Sequence, residues 1–273
     1  MPATPLSPLA APSLPLHLAR ALRAVVGREL GRFLRQPTRL GSALVRPLLW
    51  FVVFSAGFHN VFGVAIIPPY ETYIEYQVYM VPGLLGMVAL FNGMQSSLSM
   101  VYDREMGVMR LLLTAPLARG WLLAFKLLGS TVLSVLQMAV FLLIALAFGV
   151  ELAWAHLPGL LLTMACAAAM LAALGLVLSV YVKQLENFAG TMNFVIFPMF
   201  FISPALYPLW KLEESGAYWL LKIAEVNPFT HAVEAMRFAM MGQFNAMAWA
   251  VVLGSTAVFF VLALWGYDPQ RGF

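Results

Sequence analysis

Six stretches of roughly twenty mostly apolar residues run through this chain, near 44–62, 79–100, 124–149, 158–182, 189–207 and 246–266. Each is long enough to cross the bilayer's hydrocarbon core, which takes about 20 residues of α-helix. Lipid offers no partner for a backbone N–H or C=O, so a spanning segment must satisfy its own backbone, and continuous apolar runs of this length do so as helices. Hydrophobic residues make up 62% of the chain and charged residues only 10%, against about 25% charged in an ordinary soluble domain. So few charges cannot cover a water-exposed surface. The six spans and their connections fill the 273 residues and leave no room for a separate soluble domain. The expected fold is an all-α membrane protein, with residues 16–273 forming one transmembrane domain. The fifth span contains Pro198 and Pro204 and runs into Tyr207-Pro208, so it is expected to kink or break, as membrane helices do where neighbours satisfy the freed carbonyls.

Lys and Arg orient the bundle. With the N-terminus inside, the cytoplasmic segments hold Arg20, Arg23, Arg28, Arg32, Arg35, Arg39, Arg46, Arg104, Arg110, Arg119, Lys126, Lys183 and Arg271, and the outer segments only Lys211, Lys222 and Arg237. This bias follows the positive-inside rule and puts both termini in the cytoplasm. The outer side is acidic, with Glu71, Glu75, Glu151, Glu213, Glu214, Glu225 and Glu234. Residues 1–15 are rich in Pro, Ala and Leu and carry no Lys or Arg. They lack the positive start of a secretory signal and read as a disordered lead. In residues 16–36, Leu18, Leu22, Val25, Val26 and Phe33 fall on one side of a helical wheel, and five arginines fall mainly on the other. That is the pattern of an interfacial helix whose arginines meet anionic membrane lipids. It leaves open whether the helix also touches a cytoplasmic partner. Pro37 ends it.

The chain carries no Gly-rich phosphate loop ending in Gly-Lys-Ser/Thr, so it is not expected to hydrolyse ATP by itself. The four histidines, His17, His59, His156 and His231, are scattered without the spacing of a metal site. The single cysteine, Cys166, cannot form an intrachain disulfide. No basic surface suited to nucleic acid is apparent. Inside the spans, Asn92, Gln95, Ser96 and Ser99 share one helix face, and Lys126, Ser130, Ser134 and Gln137 another. Such residues face a neighbouring helix or a wet path. Asn92, Gln95, Ser96, Ser99 and Gln137 are the candidate path-lining residues, while Lys126 is close enough to the inner end to snorkel. Ala165, Ala169 and Ala173 form a small-residue ridge suited to close helix approach. In 208–245, Trp210, Tyr218 and Trp219 suit a membrane interface, and Asn227-Pro228 reads as a turn into a helix starting near Phe229.

One charged segment interrupts the apolar pattern: Asp103-Arg104-Glu105-Met106-Gly107-Val108-Met109-Arg110, followed by Leu111 to Pro116. It belongs at the cytoplasmic surface. Asp103 to Glu105 are expected to start a helix there, with acids at its positive end, and Pro116 to end it. Periodicity does not distinguish an amphipathic connector from a lever that fits a partner's groove.

This segment, with Arg119 and Lys126 following, resembles the cytoplasmic loop of the type-2 permeases of ABC exporters. Phe200-Phe201-Ile202-Ser203 through Leu206-Tyr207-Pro208, then Asn227-Pro228-Phe229-Thr230-His231-Ala232-Val233-Glu234-Ala235-Met236-Arg237, resembles the same family's outer re-entrant hairpin. Where the family often has Gly after the Ser, this chain has Pro204. The resemblance implies the permease subunit of an ATP-driven exporter in a bacterial inner membrane. It would work as a homodimer with a separate ATP-binding cassette subunit that holds ATP and Mg, and would itself hold no cofactor or metal and have no catalytic residue. It further implies that Asp103, Arg104, Glu105, Gly107, Arg110 and Pro116 couple to the ATPase, with Gly107 allowing close approach, and that Ser203, Pro204, Pro208, Asn227, Pro228 and Arg237 shape the outer hairpin. A secondary transporter or channel running without ATP is the alternative. Lys183-Gln184-Leu185-Glu186-Asn187-Phe188-Ala189-Gly190 and the tail from Gly266 to Gly272 are similar to a subgroup associated with quinoprotein alcohol oxidation.

Overall fold

The structure, a computed structural model, describes residues 14–35, 37–58, 68–70, 74–107, 118–182 and 184–267. Arg110 and Pro116 lie outside the described residues, as do His59, Glu71, Lys183 and the tail beyond Tyr267. Ten α-helices are seen among them: α1 (Leu14–Leu34), α2 (Pro37–Phe58), α3 (Tyr76–Glu105), α4 (Arg119–Ala147), α5 (Leu157–Tyr181), α6 (Leu185–Phe201), α7 (Trp210–Glu214), α8 (Tyr218–Val226), α9 (Pro228–Met240) and α10 (Ala246–Gly266). No strand occurs among the described residues. Four helical segments, Tyr76–Glu105, Gly120–Ala147, Trp154–Tyr181 and Ala246–Gly266, are long and apolar enough to cross a membrane. Leu14 and Pro15, expected in the lead, already belong to α1.

α3 is the central post. Every residue from Tyr79 to Leu90 is buried, and a helix that is apolar all round is one surrounded by others. α5 packs along it most extensively, and α2, α4, α6 and α9 also pack against it. α10 lies on the far side of α5, burying only Ala248, Val252 and Ala263. α1 rests on α4, where Gly129 leaves room for Val26 and Glu29.

Small residues set the α3–α5 distance. A Cβ on Gly93 would stand 3.0 Å from the Ala172 N and the Leu171 O, and one on Gly175 would stand 2.5 Å from the Ser97 Oγ and 2.7 Å from the Gly93 O. Dispersion between closely approaching backbones is a main source of helix association in lipid. The closest α3–α5 approach thus runs through Ala172 and Gly175, residues outside the expected ridge of Ala165, Ala169 and Ala173. Ala165 and Ala169 are only partly buried. A four-residue spacing identifies a small face but not which neighbour it meets.

The largest departure from expectation is at the charged segment. Asp103, Arg104 and Glu105 do not start a helix; they are the last three residues of α3. No breaker follows the second span until Gly107, whose φ of +70° is the left-handed conformation that ends helices at little steric cost. Among the described residues nothing lies within 4 Å of a Cβ placed on Gly107, so the need for glycine here is conformational.

Gly175→Ala should lower the thermal unfolding midpoint of the detergent-purified protein by several degrees, from about 1–3 kcal/mol of overpacking. Gly159→Ala, with nothing among the described residues within 4 Å of its Cβ, should leave it unchanged. Equal midpoints for the two variants would refute this account of the α3–α5 contact.

Candidate functional site

Two polar clusters mark the ends of the bundle, and α6 runs between them. The cluster labelled inner, after the side expected from the Lys and Arg pattern (the other being labelled outer), is built from the end of α3. Asp103 is only 2% exposed and lies 3.3 Å from the Arg28 guanidinium of α1 and 3.4 Å from the Lys126 ammonium of α4. Lys126 is itself 7% exposed, so it does not snorkel to the surface; it turns inward to the carboxylate. A buried charge without a partner would be costly, and this arrangement leaves neither Asp103 nor Lys126 in that condition.

The next two residues reach other helices. Arg104 donates to the Ser179 carbonyl at 2.7 Å, in the last turn of α5, where helical carbonyls lack intrahelical partners. Glu105 accepts the Leu185 backbone N–H at 2.9 Å. That N–H opens α6, whose own N-cap Gln184 makes no side-chain cap, and a carboxylate there also meets the positive end of the helix dipole. Three consecutive residues therefore tie the end of α3 to α1, α4, α5 and α6. Asp103 and Glu105 sit at the negative end of α3, and these cationic and N–H partners offset that placement.

The outer cluster satisfies a helix that stops inside the fold. α6 ends at Phe201, and residues 202–209 carry the chain through Ser203-Pro204 to Pro208. Asn227 closes the break. Its amide donates to the Met199 and Ile202 carbonyls, each at 2.8 Å, while its Oδ1 accepts the Phe229 N–H at 3.0 Å. One side chain thus covers the end of α6 and N-caps α9, with Pro228 at the first helical position, where its missing N–H does no harm.

Arg237 is 3% exposed, pairs with Glu234 and donates to the Pro204 carbonyl at 2.6 Å. Its guanidinium lies 4.1 Å over the Tyr79 ring, and the Tyr79 hydroxyl donates to the same carbonyl at 3.1 Å. Burial pushes the nearby Tyr70 phenol above its ordinary pKa, so it stays neutral. Tyr76 donates to the Leu206 carbonyl at 2.7 Å, and Ser203 to the Phe200 carbonyl at 2.6 Å. Gly83 of α3 makes room for this strand of chain, since a Cβ there would drive into the Ala205 backbone. The half-buried Pro208 lies just before α7. Beside the broken end, α6, α8 and α10 border an apolar cavity of about 580 Å³ that includes Pro198, Ile202, Val226 and Phe259.

The candidate path residues separate into two groups. Asn92 and Gln137 are buried; Asn92 donates to the Ser134 Oγ at 2.7 Å and accepts from the Gln137 amide at 3.3 Å. The two polar faces recognised in the sequence meet each other between α3 and α4. As described, Asn92 and Gln137 face no opening. Gln95, Ser96 and Ser99 are partly exposed, and Ser99 donates back to the Ser96 carbonyl. The residues that sequence reasoning missed are the partners: Arg28, Ser179, Leu185, Tyr76, Tyr79 and Gly83. Arg28 lay on a face already marked as cationic, but a backbone carbonyl or N–H gives no signal at all.

The family model for the ABC-2 type transporter matches residues 20–241. The chain belongs to the ABC-2 type transporter family. It is a membrane protein and a transmembrane ABC transporter subunit of the type-2 permease class. A putative transport permease of Cyanophora paradoxa, ycf38, is 30% identical over 224 residues, covering 80% of this chain and 73% of the relative. Its counterpart in Pyropia yezoensis is 26% identical over 225 residues, 81% and 74% of the two chains. The daunorubicin resistance ABC transporter permease protein DrrB1 of Streptomyces coeruleorubidus is 26% identical over 256 residues, 91% of this chain and 83% of that one. The matched region takes in both polar clusters.

Two outcomes follow from the geometry. Asp103→Ala should destabilise the fold by about 3–5 kcal/mol, since it leaves the buried Lys126 ammonium without its carboxylate, and Lys126→Ala should cost less, because Asp103 keeps Arg28 at 3.3 Å. Their double mutant should lose less than the sum by about 0.5–3 kcal/mol, and additive losses in an SDS-titrated unfolding cycle would contradict a direct pair. Asn227→Asp, which keeps the cap acceptor but cannot donate, should cost about 1–3 kcal/mol in the same assay; Asn227→Ala should cost more.

Proposed function

We propose that this chain is the membrane-spanning permease subunit of an ATP-driven exporter. It works as a homodimer and binds two copies of a separate ATP-binding cassette subunit, which holds ATP and Mg. In this reading α2 and α6 complete a six-span bundle with α3, α4, α5 and α10. Both termini lie on the cytoplasmic side of a bacterial inner membrane, α1 lies in the interface against lipid head groups, and α7 to α9 form the outer re-entrant hairpin. With Arg46 set aside because it lies within α2, the Lys and Arg still divide twelve to three between the inner and outer segments, which supports the orientation. The narrower link to permeases associated with quinoprotein alcohol oxidation rests on the motifs around Asn187 and Gly266.

One observation carries the coupling role: Asp103, Arg104 and Glu105 bind four different helices from three consecutive positions. A segment attached at that point, running from Gly107 toward Arg110 and Pro116, has no single helix to push; it acts on the whole inner end of the bundle. Glu105 is the exposed member of the triplet and the link to α6. α6 is otherwise lightly held, burying only Phe188, Ile196 and Phe200. Closure of two ATPases would thus shift the inner end of α6 against α3. The outer cluster around Asn227 and Arg237 would receive that shift at the other end, where the neighbouring cavity leaves space for movement. The exposed faces of α2 (Leu49 58%, Val53 60%) and α6 (Phe194 81%) supply apolar surface for a second copy of the chain.

The test is affinity purification of the chain from native membranes with identification of what accompanies it. The expected result is a stoichiometric ATP-binding subunit with the wild type and with Glu105→Gln, which still accepts the Leu185 N–H. Glu105→Arg should insert normally but lose both the ATPase and transport. Full transport by Glu105→Arg would remove the residue from coupling, and a stable homo-oligomer without an ATPase would favour a secondary transporter or channel.

A further inference from the structure

Arg46 has no place in either cluster, and it lies where a charge is hardest to keep. It projects from α2, and its guanidinium sits 4.0 Å over the ring of Phe91 on α3. Phe91 is twelve residues before Asp103 and fifteen after Tyr76, about 18 Å from the inner cluster and about 22 Å from the outer end at 1.5 Å per residue. That is the middle of the bilayer core, beyond the reach of a side chain snorkelling to the inner head groups. Arg46 is exposed, and among the described residues it forms no ion pair. The ring face offsets part of the lost hydration but does not neutralise the charge.

The surroundings continue outward as aromatic rings. Arg46, Trp50 and Phe54 recur every four residues on one face of α2. Trp50 stacks on Phe54 with centroids 5.0 Å apart and meets Phe201 of α6 edge-on at 5.8 Å. Phe201 stacks on Phe197 at 6.1 Å, and Phe197 meets Phe91 edge-on at 6.5 Å. Phe54 in turn reaches Tyr76 at the outer end of α3. The result is a lane of aromatic surface along α2, α3 and α6, running from Arg46, which forms no ion pair among the described residues, to the outer end of α3. Phe197 and Phe201 are 44% and 39% exposed, so the lane is open along one side. Gln95, one turn inward of Phe91 on the same side of α3 and partly exposed, places a polar group near its inner end.

We infer that this lane binds the exported molecule, and that this molecule is an amphiphilic anion: its acidic group meets Arg46 and its apolar, preferably planar, body lies against Trp50, Phe197 and Phe201. The inference rests on the permease reading above, to which it adds a substrate class. An intramembrane ionisable residue that faces a lane and forms no ion pair among the described residues calls for a charged partner. The rings can receive an apolar body by offset stacking or edge contact. The occupant is transported cargo rather than a resident bilayer lipid, because a planar aromatic lining suits a rigid body better than a flexible acyl chain.

Two fluorescent probes with nearly the same body test the charge requirement. 8-Anilinonaphthalene-1-sulfonate carries an anion, and N-phenyl-1-naphthylamine is its uncharged parent. Saturable binding of each to the full-length chain in phosphatidylcholine nanodiscs is measured over empty nanodiscs. Arg46→Gln should weaken the sulfonate about ten- to a hundredfold, the loss of one charge-assisted contact, and leave the parent within about twofold, which also shows the variant is folded. Arg46→Lys should restore most of the sulfonate binding, and Phe197→Ala should weaken both probes. Equal effects of Arg46→Gln on the two probes, or none on the sulfonate, would overturn the inference. So would displacement of the sulfonate by phosphatidylglycerol in the nanodisc, which would make the lane a lipid site. Retention of the ATP-binding subunit by Arg46→Gln separates this test from that of the permease reading: loss of sulfonate binding with the ATPase still bound touches the cargo site alone.

Discussion

Lipid supplies no hydrogen bonds, and the outer half of this fold is organised around that fact. α6 stops at Phe201 short of a clean exit, and every carbonyl freed by the break must find a donor within the protein. Asn227 provides two, Arg237 and Tyr79 converge on Pro204, and Tyr76 reaches Leu206. Each donor then constrains something else. Asn227 can serve only if α9 begins at Pro228. Arg237 can serve only from a helix lying against α3. The chain can pass above α3 only because residue 83 is glycine. The position of α9, the lack of a side chain at Gly83 and the pairing of Arg237 with Glu234 are all consequences of one interrupted helix.

The inner end solves the opposite problem, charges rather than bare carbonyls. Asp103 is shared between two cations, Arg104 takes a free carbonyl of α5, and Glu105 takes a free N–H of α6. Helix ends serve here as ready-made partners, because the last carbonyls and first N–H groups of any helix are unsatisfied and carry the partial charge of the macrodipole. Five helices, α3 with α1, α4, α5 and α6, meet at one corner through these contacts.

How much of this could be read from residues alone depended on how local the physics was. Asn227-Pro228 announced a helix start because an N-cap and a proline act within three residues. The last span was expected at 246–266 and runs Ala246–Gly266, since Asn245 and a uniform apolar run define it locally. The second span was expected to stop near residue 100, yet α3 continues to Glu105. Charges were taken as a boundary, but their partners on α1, α4 and α6 allow the helix to carry them. The same non-local pairing reversed the reading of Asp103–Glu105 from helix start to helix end, and turned Lys126 inward. Polar faces on α3 and α4 were visible from spacing. That Asn92 and Gln137 meet each other, whereas Gln95 remains partly open, depends on helix rotation, which periodicity does not define.

The distribution of polar contacts along α6 bears on how such a bundle could switch. Both ends are held by directional interactions with discrete partners, while the middle presents Phe194 and Phe197 outward. Packed cores and hydrogen-bonded ends do not deform continuously; they exchange one set of partners for another. A small displacement of Glu105 relative to Leu185 is therefore either absorbed with the bond intact or breaks it and frees the N-terminus of α6. At the far end the Asn227 contacts present the same choice. Two brittle ends joined by a loosely packed rod favour two positions over a range of positions, and the aromatic side of that rod is the wall that would move.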